Sequence, residues 1–269
     1  WLNANKGADG AISLREAIIA ANNASGTTLI QFAIPGTGTH TITLSSALPA
    51  ITRPIILDGT TDDSFAANGN RPAIILDVNY VGTTTTSGLQ LTGTAGGSTI
   101  RGLVIQNFRL AAISIEAGAD GNTIAGNYLG NIDANGNEIS ANSGSYVLLI
   151  NSSNNVIGGA TAADRNVINN ENYTVLIYGG TGNQVIGNYI GINAAGNTAF
   201  TSAGMGITDY NGGGGHLFAD NVLYARSGGA IYVIGGAGGD IIRDNLIGVR
   251  PDGSGTFAMS VSGMFISVG

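Results

Sequence analysis

Three segments of this chain carry one shape: GNTIAGNYLGNIDANGNEI from Gly121, GNQVIGNYIGINAAGNTAF from Gly182 and GDIIRDNLIGVRPDGSGTF from Gly239. Each sets two apolar positions before a Gly-Asn or Asp-Asn, then an aromatic or Leu, an aliphatic residue and a Gly. A stamp returning at such intervals constrains the fold more than any single motif. A repeat that cannot bury its apolar face alone must stack on its neighbours.

The rest of the chain agrees. TTLIQFAI (27–34), HTITL (40–44), PIILDG (54–59), AIILDV (73–78), GLQLTG (88–93) and STIRGLVIQNF (98–108) read as short strands punctuated by Gly, Asn, Asp, Ser and Pro. From residue 88 onward, GLQL (88), AISI (112), VLLI (147), VLI (175), GITD (206), AIYV (230) and MFIS (264) open similar units of about three short strands, with excursions after the stamp. The only convincing helix is Gly10–Gly26, where Ser13 and Glu16 form a capping box and Leu14, Ala17, Ile18 and Ala21 follow helical spacing.

In stacked parallel coils a tight turn recurs at one place. Asn is the non-glycine residue that best tolerates the left-handed backbone such turns need. Asn127, Asn188 and Asn245 are expected there, with Asn107, Asn166 and Asn221 as equivalents in intervening coils, their amides bonding along the axis. Leu129, Ile190 and Ile247 would then face the core.

ISLREAIIAANNASGTTLIQFAIPGTGTHTITLSSALPAI resembles the N-terminal segment of bacterial surface proteins with a CSLREA-type domain, Ile12 standing where that family has cysteine. NNVIGG, RNVI and GNYIG are similar to the β-helix repeats that follow it. The resemblance implies an all-β, right-handed parallel β-helix related in fold to pectate lyases, with the Ser13–Asn22 helix plugging the first coil. The expected organisation is an N-terminal capping segment (1–26) and one continuous solenoid (27–269), whose final GMFISVG stops mid-strand without a cap.

Enzymes of this fold act on acidic polysaccharides through carboxylates on neighbouring coils and a nearby base. Asp220 and Asp244 precede equivalent turn asparagines and should lie in register about 5 Å apart on adjacent coils, with His216, Arg226 and Arg243 near in sequence. A tolerant turn and an ordinary surface pair explain them more simply. Asp209 aligns with Ile177 and Val233 and would face inward; a slipped register that turns it outward is the preferred reading. Asp133, Asn135 and Asn137 have the alternate spacing of calcium loops, yet no bidentate Glu follows at the needed distance. Tyr128, Tyr189, Tyr178 and Tyr210 could bind sugar rings or cover the core.

A net charge of −7 with only 10% charged residues argues against nucleic acid and anionic membrane surfaces, and no apolar run approaches the roughly 18 residues of a membrane helix. No cysteine is present, so thiolate sites are impossible. The expected function is a non-enzymatic structural or adhesive β-helix, extracellular or on a bacterial cell surface, meeting a glycan or surface partner; its uncapped end points either to a longer array or to end-to-end self-association into filaments. No cofactor is expected; calcium at Asp133, Asn135 and Asn137 is the one alternative weighed, and the missing Glu disfavours it. The alternative is a polysaccharide lyase using the Asp220 and Asp244 neighbourhood.

Overall fold

The computed structural model describes residues 10–78, 86–140 and 144–267. Three parallel sheets, of eight, eight and seven strands, run the length of a right-handed β-helix, each strand pairing with its counterpart one coil away. The seven-stranded third sheet contains Leu89–Leu91, Ile113–Ile115, Tyr146–Asn151, Tyr173–Gly179, Met205–Tyr210, Gly229–Ile234 and Ser262–Ser267. These are the seven openings phased from the sequence, so the repeat period was correctly placed.

The segment 98–108 is two strands rather than one, Thr99–Arg101 in the first sheet and Leu103–Gln106 in the second. Gly102, at φ +72°, makes the corner. A positive φ there is open to Gly at little cost, which lets the chain turn within one residue.

Inside, apolar side chains stack in columns: Leu148, Val175, Ile207 and Ile231 are in register and buried, as are Ile100, Ile124, Ile157, Val185 and Phe218. Leu129 and Ile190 are fully buried as expected, and Ile247 packs partly buried against the same core. Parallel strands leave no hairpin register to slip, so the columns and corners fix the stacking.

The N-terminal helix α1 spans Leu14–Asn22, with Ser13 as N-cap and the reciprocal bond from the Ser13 backbone N–H to Glu16 in place. Its apolar face joins the solenoid core through Leu14, Ala17, Ile18 and Ala21. Arg15 donates to the carbonyls of Ser46 and Ala47, and Asn22 exchanges bonds with Ala50 and Thr52, which fastens the helix over the first coils. It is not the only helix: a second, α2 (Asp63–Ala67), follows a 3-10 turn, with Asp62 capping it. Asp62 in TTDDSF is the N-cap signal for it.

Outside the second sheet lies a second apolar layer. Each excursion after a stamp folds back as a small hairpin, closed by the antiparallel bridges Ile132–Glu138, Ile192–Ala199 and Val249–Thr256. These hairpins cover Tyr128, Val167, Tyr189 and Val222 with Ile132, Ile192, Phe200 and Phe257. Tyr128 and Tyr189 therefore cover the core.

Candidate functional site

Two ladders of buried polar side chains run along the corners of the solenoid. In the first, the backbone N–H of Asn127 donates to Asn166 Oδ1, Asn166 to Asn188, Asn188 to Asn221 and Asn221 to Asn245, at 2.9–3.2 Å. Each of these amides also gives its Nδ2 hydrogens to the next Oδ1 and to a carbonyl of the preceding coil. The ladder thus satisfies the side-chain amides and backbone N–H groups of Asn127, Asn166, Asn188 and Asn221 within the protein, which burial demands.

The backbone expectation for these asparagines needs correction. Asn127, Asn166, Asn188, Asn221 and Asn245 are not left-handed; in four of the five coils the residue before them is, as Gly126, Gly187, Asp220 and Asp244, at φ +57° to +70°. The side chain that builds the ladder and the backbone that makes the turn are neighbours with separate tasks. Asn107 is left-handed at φ +58°, but it follows a second-sheet strand whereas Asn127 precedes one, so it is not their equivalent. Leu103 holds that place, its N–H reaching Asn127 Oδ1.

The second ladder runs five residues upstream, through Ser98, Asn122, Asn155 and Asn183, each backbone N–H donating to the next side chain at 2.9–3.1 Å. It then changes chemistry. After Asn183 come His216 and Asp240, so the acceptor for the Asn183 N–H is His216 Nδ1 and the acceptor for the His216 N–H is Asp240 Oδ1.

At that same coil the neighbouring core column changes too. Asp209 pairs with Ile177 on one side and Val233 on the other, and it is fully buried. No bulge turns it outward, so the register-slip reading is wrong: the aliphatic residues on either side of it hold the strand in phase. Its Oδ1 accepts the Gly212 N–H at 3.0 Å, while Oδ2 meets no donor among the described residues. His216 Nε2, also fully buried and without a hydrogen-bond partner among the described residues, lies 4.0 Å from that Oδ2, beyond a direct hydrogen bond. One ligand atom from each of Asp209, His216 and Asp240 falls within 4.8 Å of the others.

Burial, then the Asp240 charge, pushes the Asp209 carboxyl up to about 6, and burial pushes the His216 imidazole down despite Asp240. Among the described residues no Arg forms an ion pair with Asp209 or Asp240. A buried carboxylate without a counter-cation is expensive. Gly212 and Gly236 pack close by; a Cβ on Gly212 would meet Asp209 Oδ1 and lie 2.7 Å from His216 Nε2.

The remaining sequence candidates are scattered. Asp220 and Asp244 are in register, but both are exposed at the corner and share Arg243, at 3.6 and 2.7 Å. Arg226 stands elsewhere, donating to the Thr201 carbonyl in an open groove with Glu171 and Ser202. Asp133 Oδ1 is taken by the backbone N–H groups of Asn135 and Asn137, both at 2.9 Å, so the apparent calcium spacing builds the hairpin turn. Glu138, unremarked in the sequence, ties one hairpin to the next by accepting from the backbone and hydroxyl groups of Thr201 and Ser202.

Asp240 and the second ladder were also missed. The signal was present: Asn122, Asn183 and Asp240 hold the second position of the three stamps, and His216 holds the same place in the related segment GHLFADNVLY (215–224). No known protein family, characterised protein or solved structure matches this chain.

Proposed function

We propose that this chain is a non-enzymatic, rigid adhesive rod of an extracellular or bacterial surface protein, and that the outer face of its third sheet is the contact surface for a weakly charged glycan. The observation that carries this reading is aromatic. Tyr178 and Tyr210 stack at 6.1 Å with nearly parallel rings and are 55% and 43% exposed; Tyr232 and Phe265 stack at 4.7 Å on the same face. Exposed aromatic rings supply apolar area to sugar faces while their hydroxyls stay wet. On the second sheet, by contrast, Tyr128 and Tyr189 lie buried beneath the hairpins. The surface location is carried by the resemblance to CSLREA-type proteins.

The lyase alternative has less support, because Arg243 is engaged by two carboxylates at an exposed corner and Arg226 stands apart. Immobilised neutral and acidic glycans test both readings. Retention on a neutral glycan that Tyr178→Ala and Tyr210→Ala weaken several-fold supports the adhesive reading; wild-type protein that binds none of them defeats it. Shortening of an acidic polysaccharide on incubation would replace it with the lyase. End-to-end association of copies belongs to the same proposal. It predicts rods that lengthen with concentration in negative-stain images, against short rods at every concentration.

A further inference from the structure

We propose that Asp209, His216 and Asp240 form a buried binding site for one divalent transition metal of the zinc class. Three positions of two independent columns depart from their pattern at one place: an aliphatic core position becomes Asp209, and two ladder asparagine positions become His216 and Asp240. The departures converge. Two of the three side chains carry fully buried atoms that are unpartnered among the described residues, Asp209 Oδ2 and His216 Nε2, side by side next to Gly212, where a Cβ would crowd both side chains.

The donor set selects the ion. Calcium and magnesium need six or more oxygen ligands, and Asp209 Oδ1 already serves the Gly212 N–H. One imidazole nitrogen with two carboxylate oxygens suits a low-coordinate site with a fourth position for water. The ion also supplies the positive charge that the two carboxylates lack.

Binding carries one cost. The Asn183 N–H···Nδ1 bond places the proton of the neutral ring on Nε2, where the metal must enter. The ring proton therefore moves to Nδ1, where it opposes the Asn183 N–H, so the ladder must open at this rung and gives up one hydrogen bond in exchange for the metal–ligand bonds. This gives a signature that adventitious surface binding lacks: the Asn183 amide loses protection from hydrogen exchange when metal is bound.

The test uses the full chain, stripped with chelator and titrated with Zn2+ and Co2+ by calorimetry. The ladder supplies conservative variants: His216→Asn restores its usual residue, and Asp209→Val restores the residue of the core column. One ion per chain is expected, with a rise in Tm of roughly 5 °C at a hundredfold excess over Kd. Both variants should weaken binding at least about a hundredfold while keeping the far-ultraviolet circular dichroism of the wild type. Gly212→Ala, which keeps every ligand but crowds Asp209 and His216, should weaken binding as well. Wild-type protein that takes up neither ion stoichiometrically, or folded His216→Asn protein that binds as the wild type does, overturns the site. So does stoichiometric binding that leaves the Asn183 amide unchanged.

Discussion

His216 Nδ1 accepts the backbone N–H of Asn183 at 3.1 Å, and this one bond fixes where the neutral imidazole keeps its proton. A protonated ring would set two N–H groups against each other. Together with burial, this makes acid unfavourable to His216 in the fold, while the nearby Asp209 carboxyl has the opposite preference.

The two preferences predict a pH dependence that only variants reveal. Asp209 titrates at about 6 in the fold against 3.8 in the unfolded chain, so its contribution to stability is full below 3.8 and is lost as pH rises through 6. His216 is held below 6.5, so its contribution is full above 6.5 and is lost as pH falls. In metal-free wild type the two slopes oppose each other across roughly pH 4 to 6.5. His216→Asn removes one of them, and its Tm should fall as pH rises from 4 to 7, by an amount reflecting up to about 3 kcal/mol. Asp209→Val removes the other, and its Tm should fall as pH drops below 6.5. Melts followed by circular dichroism across that range check both signs.

Asn188 sits mid-ladder, and its removal should be far more damaging than its polar side chain suggests. Its Oδ1 accepts the Asn166 N–H and Nδ2, and its Nδ2 donates to the Ile157 and Ile186 carbonyls and to Asn221. Asn188→Ala leaves several buried groups unsatisfied, a loss of about 3 kcal/mol or more. At the last described rung, Asn245→Ala strips fewer partners, and its residue is less buried. Urea titration should place the Asn188→Ala midpoint well below that of Asn245→Ala.

The stamp made the solenoid legible because turn chemistry and core spacing repeat in the sequence itself. The seven third-sheet strands followed from phasing aliphatic runs alone, and α1 from Ser13, Glu16 and four apolar positions. The site was half legible. Asp209 stood out as a carboxylate in an aliphatic column, but the side chains beside it, His216 and Asp240, come from a ladder five residues upstream of the one recognised. Glu138 left no sequence signal, since its contacts lie 63 and 64 residues away on the next hairpin. The left-handed residue was displaced by one because Gly-Asn and Asp-Asn place two turn-favouring residues side by side.

That displacement has a consequence for substitutions. Gly187 holds φ +70° and its α-carbon faces the Gly159 carbonyl closely, so Gly187→Ala is both strained and crowded. A loss of about 2 kcal/mol is expected. Asp220 holds φ +58° in the open, and Asp220→Asn keeps a side chain that tolerates this backbone while losing only an exposed pairing with Arg243. Its Tm should stay within about 2 °C of wild type. Parallel melts of the two variants separate backbone geometry from charge at this corner.

Glu138 joins consecutive hairpins through four hydrogen bonds from Thr201 and Ser202, which outweigh partial burial and hold its carboxyl below the usual range. Because the folded value is depressed, this stabilisation is present above the ordinary glutamate range near 4.5 and is lost as pH falls through the folded value. Glu138→Gln removes the charge and replaces one acceptor oxygen with a donor that faces donors. The loss should be local, since the coil beneath is held by its own ladder and core. Hydrogen exchange should therefore quicken at the Thr201 and Ser202 amides by roughly tenfold or more at pH 7, while the amides of Tyr189 and Ile190 stay protected. Equal loosening of hairpin and coil would mean instead that Glu138 supports the solenoid itself.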